Sequence, residues 1–427
     1  MSKTLQRKKA PAIVDAVNFD LHLKPCTKFV LKNGVEVYTI NAGAEEVMSL
    51  EWVFSAGNSF EEKNLVAATA NFLLKNGTRS RTAFEINEQV DYYGAYLNRA
   101  CHNETATVTL HTLSKHIAKL LPVVRDIITD STLPEEEISI YRESMKQRLK
   151  MSLRKSEFVA GRLIDAYLYG EGHPYGKYSS EADFDALERK ELLDFYQHYY
   201  RDGKLVMFAA GRLPHNLEEL LNEYFGDLAN NDRTAPDRSI VTAHDKKVRV
   251  INDENGVQGS IRIARPFPNR HHPDFQKTQV LNSVFGGFFG SRLMLNIRED
   301  KGYTYGIHSY LQNHINHSAW MIGTEAGREV AEATIEEVYL EMKDLREELI
   351  DEEELLLVRN YMIGGILGEL DGPFQIIARW KNIVLNGMDE NYFYQSIDTI
   401  KTVSAEELQS LAQKYLNPED FYELVVV

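Results

Sequence analysis

Two segments of this 427-residue chain recur half a chain later. Leu133-Pro134-Glu135-Glu136-Glu137-Ile138 is matched in role by Ile350-Asp351-Glu352-Glu353-Glu354-Leu355, an offset of 217 from Glu135 to Glu352. Gln197-His198-Tyr199-Tyr200 is matched by Gln413-Lys414-Tyr415-Leu416, an offset of 216 from Gln197 to Gln413. Two nearly equal offsets imply a tandem duplication. Whatever fold the first half adopts, the second must adopt too. Strand and helix signals within each half set the class as α+β: two homologous halves, each a mostly antiparallel sheet with helices packed on one face.

The expected division is an extended arm over 1–25, a first domain over 26–228, a linker over 229–244 and a second domain over 245–427. The polar run Asn230-Asn231-Asp232-Arg233-Thr234-Ala235-Pro236 marks the linker. Within the first half, Lys32-Asn33-Gly34-Val35 between apolar alternations signals a hairpin. Met48–Ser55, Gly94–Cys101 and Glu104–Leu113 read as strands. Thr82-Ala83-Phe84-Glu85 is a capping box, expected to open a helix that buries Phe84, Ile86, Val90 and Tyr93. Ser114 is expected to cap a helix with Ile117, Leu120, Leu121, Val124, Ile127 and Ile128 on one stripe. Ser404-Ala405-Glu406-Glu407 is a second capping box, and Phe421–Val427 a closing strand.

Charge narrows the function. The chain carries 63 acidic against 48 basic residues, net −15, which argues against nucleic acid as a partner. Cys26 and Cys101 lie far apart, so neither a disulfide framework nor a thiolate zinc site is expected. No apolar run reaches membrane-spanning length, and the basic N-terminus has no apolar segment behind it. The expected compartment is the cytoplasm, or the periplasm if a leader has been trimmed away.

In Asn64–Thr78, Leu65, Thr69, Phe72 and Leu73 fall at helical spacing, and Gly77 supplies a C-terminal stop. This stretch resembles the zinc helix of the pitrilysin/insulinase family (inverzincins), aligned on Gly77-Thr78. Members of that family carry H-x-x-E-H, whose two histidines leave one helix face toward one zinc and whose glutamate is the general base. Here Ala68 and Phe72 stand at the histidine positions and Asn71 at the glutamate. The family's third ligand, a glutamate, falls on Gln147 or Arg148, with Glu143 about a turn early. The resemblance therefore implies a scaffold helix without its metal: no cofactor in this chain, and Ala68, Asn71 and Phe72 forming a metal-free wall of an internal chamber.

The second half resembles the family more strongly. Phe285-Gly286-Gly287 through Ser291-Arg292-Leu293, then Asn296-Ile297-Arg298-Glu299-Asp300-Lys301-Gly302-Tyr303-Thr304-Tyr305-Gly306, is similar to its C-terminal signature. The resemblance makes Arg298 and Tyr305 the arginine and tyrosine that reach across the chamber to the scissile peptide. A guanidinium suits a substrate carbonyl, and a phenol can donate to a developing oxyanion. Arg298 pairing with Asp300, and Tyr305 packing as a strand aromatic, is the competing structural reading. Gly94-Ala95-Tyr96-Leu97-Asn98 resembles the family's edge strand, where substrate adds as an extra β-strand; Tyr96 and Asn98 are its candidate substrate-binding residues, although Asn98 could simply end a strand. The implied fold is that of the mitochondrial processing peptidases. Some family members are heterodimers in which one subunit has lost H-x-x-E-H but keeps the Arg/Tyr pair, so the implied partners are a zinc-bearing homologous subunit and a peptide. The alternative is a pseudoenzyme scaffold for peptides or assembly. A homodimeric zinc peptidase would need ligands that are missing.

Other motifs carry less. His314-Ile315-Asn316-His317 has H-x-x-H spacing without a nearby acid and reads as surface histidines. His271-His272-Pro273 reads as a capping turn. Gly286-Gly287-Phe288-Phe289-Gly290 is not a phosphate-binding loop.

Overall fold

A computed structural model describes residues 14–427; the first 13 residues of the expected arm lie outside it. The first sheet contains β1 (Thr27–Val30), β2 (Glu36–Asn41), β3 (Val47–Phe54), β4 (Tyr96–Cys101), β5 (Ala106–Leu113) and β6 (Leu205–Gly211), in the order β1-β2-β6-β3-β5-β4. The second contains β7 (Lys247–Val250), β8 (Gln258–Phe267), β9 (Thr304–Asn313), β10 (Ser318–Gly327) and β11 (Tyr422–Val426), in the order β7-β11-β8-β10-β9. Apart from β1 the orders superimpose, and each sheet has one parallel pair in the same place, β2 with β6 and β7 with β11. The duplication inferred from the two offsets is thus written in the topology.

The helices are α1 (Val66–Leu73), α2 (Ala83–Tyr92), α3 (Ile117–Asp130), α4 (Glu135–Ser152), α5 (Ser156–Tyr169), α6 (Glu181–Asp185), α7 (Arg189–Tyr196), α8 (Leu217–Phe225), α9 (Phe275–Gly286), α10 (Ala331–Glu347), α11 (Glu352–Gly368), α12 (Pro373–Leu385), α13 (Glu390–Thr402) and α14 (Ala405–Tyr415). The β1–β2 turn holds Gly34 at φ +86°, a conformation glycine adopts without a Cβ penalty. Thr82 and Ser404 both form complete capping boxes. Local readings fail in two places. Phe84 is 74% exposed and Tyr93 half-buried, while Ile86 and Val90 are buried, so the capping box sets the start of α2 but not which of its aromatics turn inward. Ser114 starts a short 3-10 turn and gives its hydroxyl to the Arg212 carbonyl instead of capping α3.

Each sheet packs its main layer of helices on one face. In the first, Leu50, Trp52, Val108 and Met207 meet Leu120 and Ile127 of α3, Leu192 of α7 and Leu221 of α8. In the second, Ile263, Ile307 and Trp320 meet Val280 and Val284 of α9 and Ile335 of α10. The opposite faces are covered by exchange. Ile376, Ile377 and Ile383 of α12, from the second half, share a core with Ile40, Val53 and Phe208 of the first sheet. Val159, Ile164 and Leu168 of α5, from the first half, pack on Ala319, Met321, Leu424 and Val426 of the second. This arrangement leaves β4 and β9 as the outer edges of the two sheets.

Candidate functional site

Helix α1 is short and mostly interior. Leu65, at φ +71°, turns the chain into it. Behind that turn the buried Glu61 carboxylate accepts from the Ala67 N–H (2.7 Å) and pairs with Lys177. Sequence reasoning passed over Glu61; an acid five residues ahead of a helix is the only signal it gave. Thr69 and Leu73 are buried as expected, but Phe72, placed on the same stripe, is 41% exposed. Asn71 is 2% exposed, with its amide donating to the Tyr200 hydroxyl (3.0 Å) and the Thr107 carbonyl (3.3 Å). The expected wall is therefore corrected. Asn71 is a core strut, Ala68 is half-buried, and of the three only Phe72 reaches open surface.

The space around Phe72 is filled by β4 and α4. The Arg99 guanidinium lies 5.0 Å from the Phe72 ring centroid and donates to the Phe72 carbonyl. The Tyr141 ring packs 4.7 Å from Phe72. Burial holds the Arg99 guanidinium down to about 10. Burial and the neighbouring Arg99 both lower the pKa of Lys75, whose ammonium ends on Asn87 Oδ1 (3.1 Å). Burial pushes the Tyr141 phenol up, and Arg148, two turns along α4, offsets this only slightly. Zinc takes imidazole, thiolate or carboxylate donors. Ala68, Asn71, Phe72 and either Gln147 or Arg148 offer none, so the residues here do not fit the metal that the helix resembles a site for. Among the described residues no group of three or more His, Cys, Asp and Glu side chains could hold a metal.

Arg298 and Tyr305 do come together. Arg298 sits in a wide π-type turn, Met294–Asp300, and Tyr305 begins β9 after Gly302 (φ +67°). The guanidinium is 5.3 Å from the Tyr305 ring centroid and 4.5 Å from that of Phe289, which the sequence had not singled out. Its acidic neighbour is Glu299, at 3.5 Å, not Asp300. Tyr305 is 92% exposed, so it does not pack as an interior strand aromatic. Tyr96 and Asn98 lie on the open face of β4, with Tyr96 6.2 Å from His111 between ring centroids. The structure thus brings Arg298 to Tyr305, and Tyr96 to Asn98. Among the described residues no hydrogen bond or ion pair links the two pairs.

His314 and His317 are not surface histidines. The β4–β5 and β9–β10 turns meet here, and Asn103 Nδ2 lies 3.2 Å from His314 Nδ1. His314 stacks on Tyr175 (3.9 Å between centroids), with His173 and His317 around the same ring. The Tyr175 N–H donates to His173 Nδ1 (3.2 Å). Burial holds His314 down to about 4 and also lowers His173 and His317. His272 behaves as expected, its Nδ1 accepting from the Asp274 N–H (3.1 Å).

Comparison with known proteins follows the same lines. The family described as Insulinase (Peptidase family M16) matches residues 36–172, and Peptidase M16 inactive domain matches residues 186–362. An uncharacterized zinc protease of Mycobacterium leprae is 24% identical over 398 residues, 91% of this chain and 88% of that protein. The crystal structure of a peptidase M16 inactive domain from Pseudomonas fluorescens matches with a TM-score of 0.82 at 19% identity, over 94% of this chain and 98% of that one. The periplasmic protease PqqL from Escherichia coli matches with a TM-score of 0.77 at 16% identity, over 100% of this chain but 49% of its own.

Proposed function

The chain belongs to the insulinase (M16) peptidase family, and on that premise we propose that it is the zinc-free subunit of a heterodimeric metallopeptidase. The observation that carries the reading is the contrast between two loci. The zinc helix has lost every donor, yet Arg298 and Tyr305 stand together with the phenol fully presented to solvent. A structural tyrosine has no reason to be left so open beside a cation.

In this reading the chain supplies binding and electrostatics, and a homologous partner supplies zinc and the activated water. Arg298 donates to a substrate carbonyl, and Tyr305 donates a hydrogen bond as negative charge develops on the scissile oxygen. Tyr96 and Asn98 line an edge strand to which an extended peptide can add by backbone pairing. A match that spans all of this chain but half of a longer protease supports an assembly of two such units. We place the complex in the cytoplasm, or in the periplasm if a leader precedes this sequence; among the described residues no helix is long and apolar enough to cross a membrane.

The test is reconstitution. Alone, the purified chain should neither retain equimolar zinc nor cleave peptides. Mixed with a homologue bearing intact H-x-x-E-H, encoded next to it or co-purifying with it, it should restore cleavage. Tyr305→Phe should then lower kcat by roughly 10²–10³ with little change in KM. Full activity of that mixture would leave only a scaffold role.

A further inference from the structure

We propose that the degenerate zinc locus is a carboxylate-binding site, in which Lys75 and Arg99 beside Phe72, with Arg148 on α4 beyond Tyr141, take an acidic group of an extended peptide lying along β4. Placing the peptide on β4 rests on the peptide-handling reading above; the cation cluster stands without it.

None of these three cations is held by an acid. Among the described residues none of them lies within 4.0 Å of a carboxylate oxygen, although ion pairs are frequent elsewhere, as with Arg125–Asp227, Arg292–Glu354 and Lys381–Glu51. Arg99 ends on a backbone carbonyl and Lys75 on a neutral amide oxygen. Arg99 Nε is fully buried and makes no hydrogen bond. In a chain of net charge −15, two neighbouring cations, Lys75 and Arg99, left without an ion-pair partner cost repulsion and desolvation. The charge of Asp91 is felt at Lys75, but the two form no ion pair. A guanidinium held over an aromatic face keeps its outer N–H donors in plane, the geometry that receives a carboxylate.

Strand geometry says which peptide side chain would arrive. Side chains alternate across a sheet. On β4, Tyr96 and Asn98 face the open side while Leu97 and Arg99 face the helices. A peptide paired to the free edge of β4 would send every second side chain toward Arg99, Lys75 and Phe72. The locus keeps the positive charge that zinc would supply but not its Lewis acidity. It would hold an acidic residue in register without activating water.

The experiment uses the isolated full-length chain. Two positional peptide libraries, fluorescently labelled and randomised except for a fixed central Glu or Gln, are titrated by anisotropy at low salt. A second pair differs only in a free or amidated C-terminus, to separate a side-chain acid from a terminal one. The Glu library should bind about tenfold tighter than the Gln library. That gap should shrink to about twofold or less in Arg148→Gln plus Lys75→Gln, changes at an exposed and a half-buried side chain that keep the stem, and in Arg99→Gln. Discrimination through the C-terminus instead would keep the site and reassign the acid. Equal or undetectable binding of both libraries, or a gap that survives all three substitutions, would overturn the proposal. A gap without cleavage after adding the zinc-bearing homologue would retain this site and sink the shared-peptidase reading; cleavage without a gap would do the reverse.

Discussion

At the scale of single residues, Asn71 and His314 each do something that spacing along the chain did not reveal. Asn71 looked like a spent catalytic base, yet it ties α1 to Tyr200 and to β5. Putting the base back should therefore do harm. Asn71→Glu buries a carboxylate against the Thr107 carbonyl, and a loss of about 2–4 kcal/mol is expected in urea unfolding. Ala68→His, Asn71→Glu and Phe72→His together should still hold substoichiometric zinc after dialysis, because the third ligand position falls on Gln147 or Arg148, neither of them a carboxylate, and Arg99 repels the ion. His314 was legible as a motif but not as a buried group, since its cover comes from Tyr175, far away in sequence. Its folded pKa, about 4, lies below the ordinary histidine value. The stability it contributes is complete above about pH 6.5 and is lost as pH falls toward 4, on the order of 2 kcal/mol. Asp165, in the same seam beside Gln312, is pushed by burial up to about 6. Its contribution runs the other way, present below about pH 4 and lost as pH rises through 6. His314→Gln should flatten the acid limb of stability against pH, and Asp165→Asn should gain stability above pH 6, both measured by thermal unfolding from pH 4 to 8.

At the scale of elements, what was legible was what neighbours in sequence decide. The Asn33-Gly34 hairpin and the boxes at Thr82 and Ser404 follow from turn and cap chemistry within four residues, and all are present. Ser114 has the same cap chemistry but a distant carbonyl, that of Arg212, wins its hydroxyl. Thr82→Ala should therefore cost α2 about 1 kcal/mol, while Ser114→Ala should cost a few tenths, compared by denaturant midpoints at constant slope. The edge strands were half legible. Alternation identifies β4 and β9 as strands, but their place at the rims comes from which strands pair, and Phe72's exposure from how α1 lies against its neighbours, which spacing along the chain does not carry. Arg298 and Tyr305 were found through resemblance to a family signature. The third member of that cluster, Phe289, was read only as part of a loop, because its contact with Arg298 depends on a wide turn that spacing does not announce.

At the scale of the molecule, the repeat offsets correctly implied two copies of one topology, but not that each copy completes the other. Helical periodicity shows that α5 and α12 have apolar faces; it cannot show that these faces are exchanged. The exchange has a thermodynamic consequence. Removing the second half would bare Ile40, Val53 and Phe208 of the first sheet, and removing the first would bare Met321, Leu424 and Val426 of the second. Each half alone would then carry an uncovered apolar sheet face, a cost that weighs against independent stability. The chain should unfold in one transition, although its length would allow two. Each sheet carries its own reporter, Trp52 in the first and Trp320 in the second, both fully buried. Single-tryptophan variants, with Trp380 also replaced, should give coincident urea midpoints, and residues 26–228 expressed alone should lack a cooperative transition. Two separated midpoints would mean that α5 and α12 can detach while their home domains persist. The halves would then be free to reorient, and the exchanged helices would act as a hinge, not as a fastening.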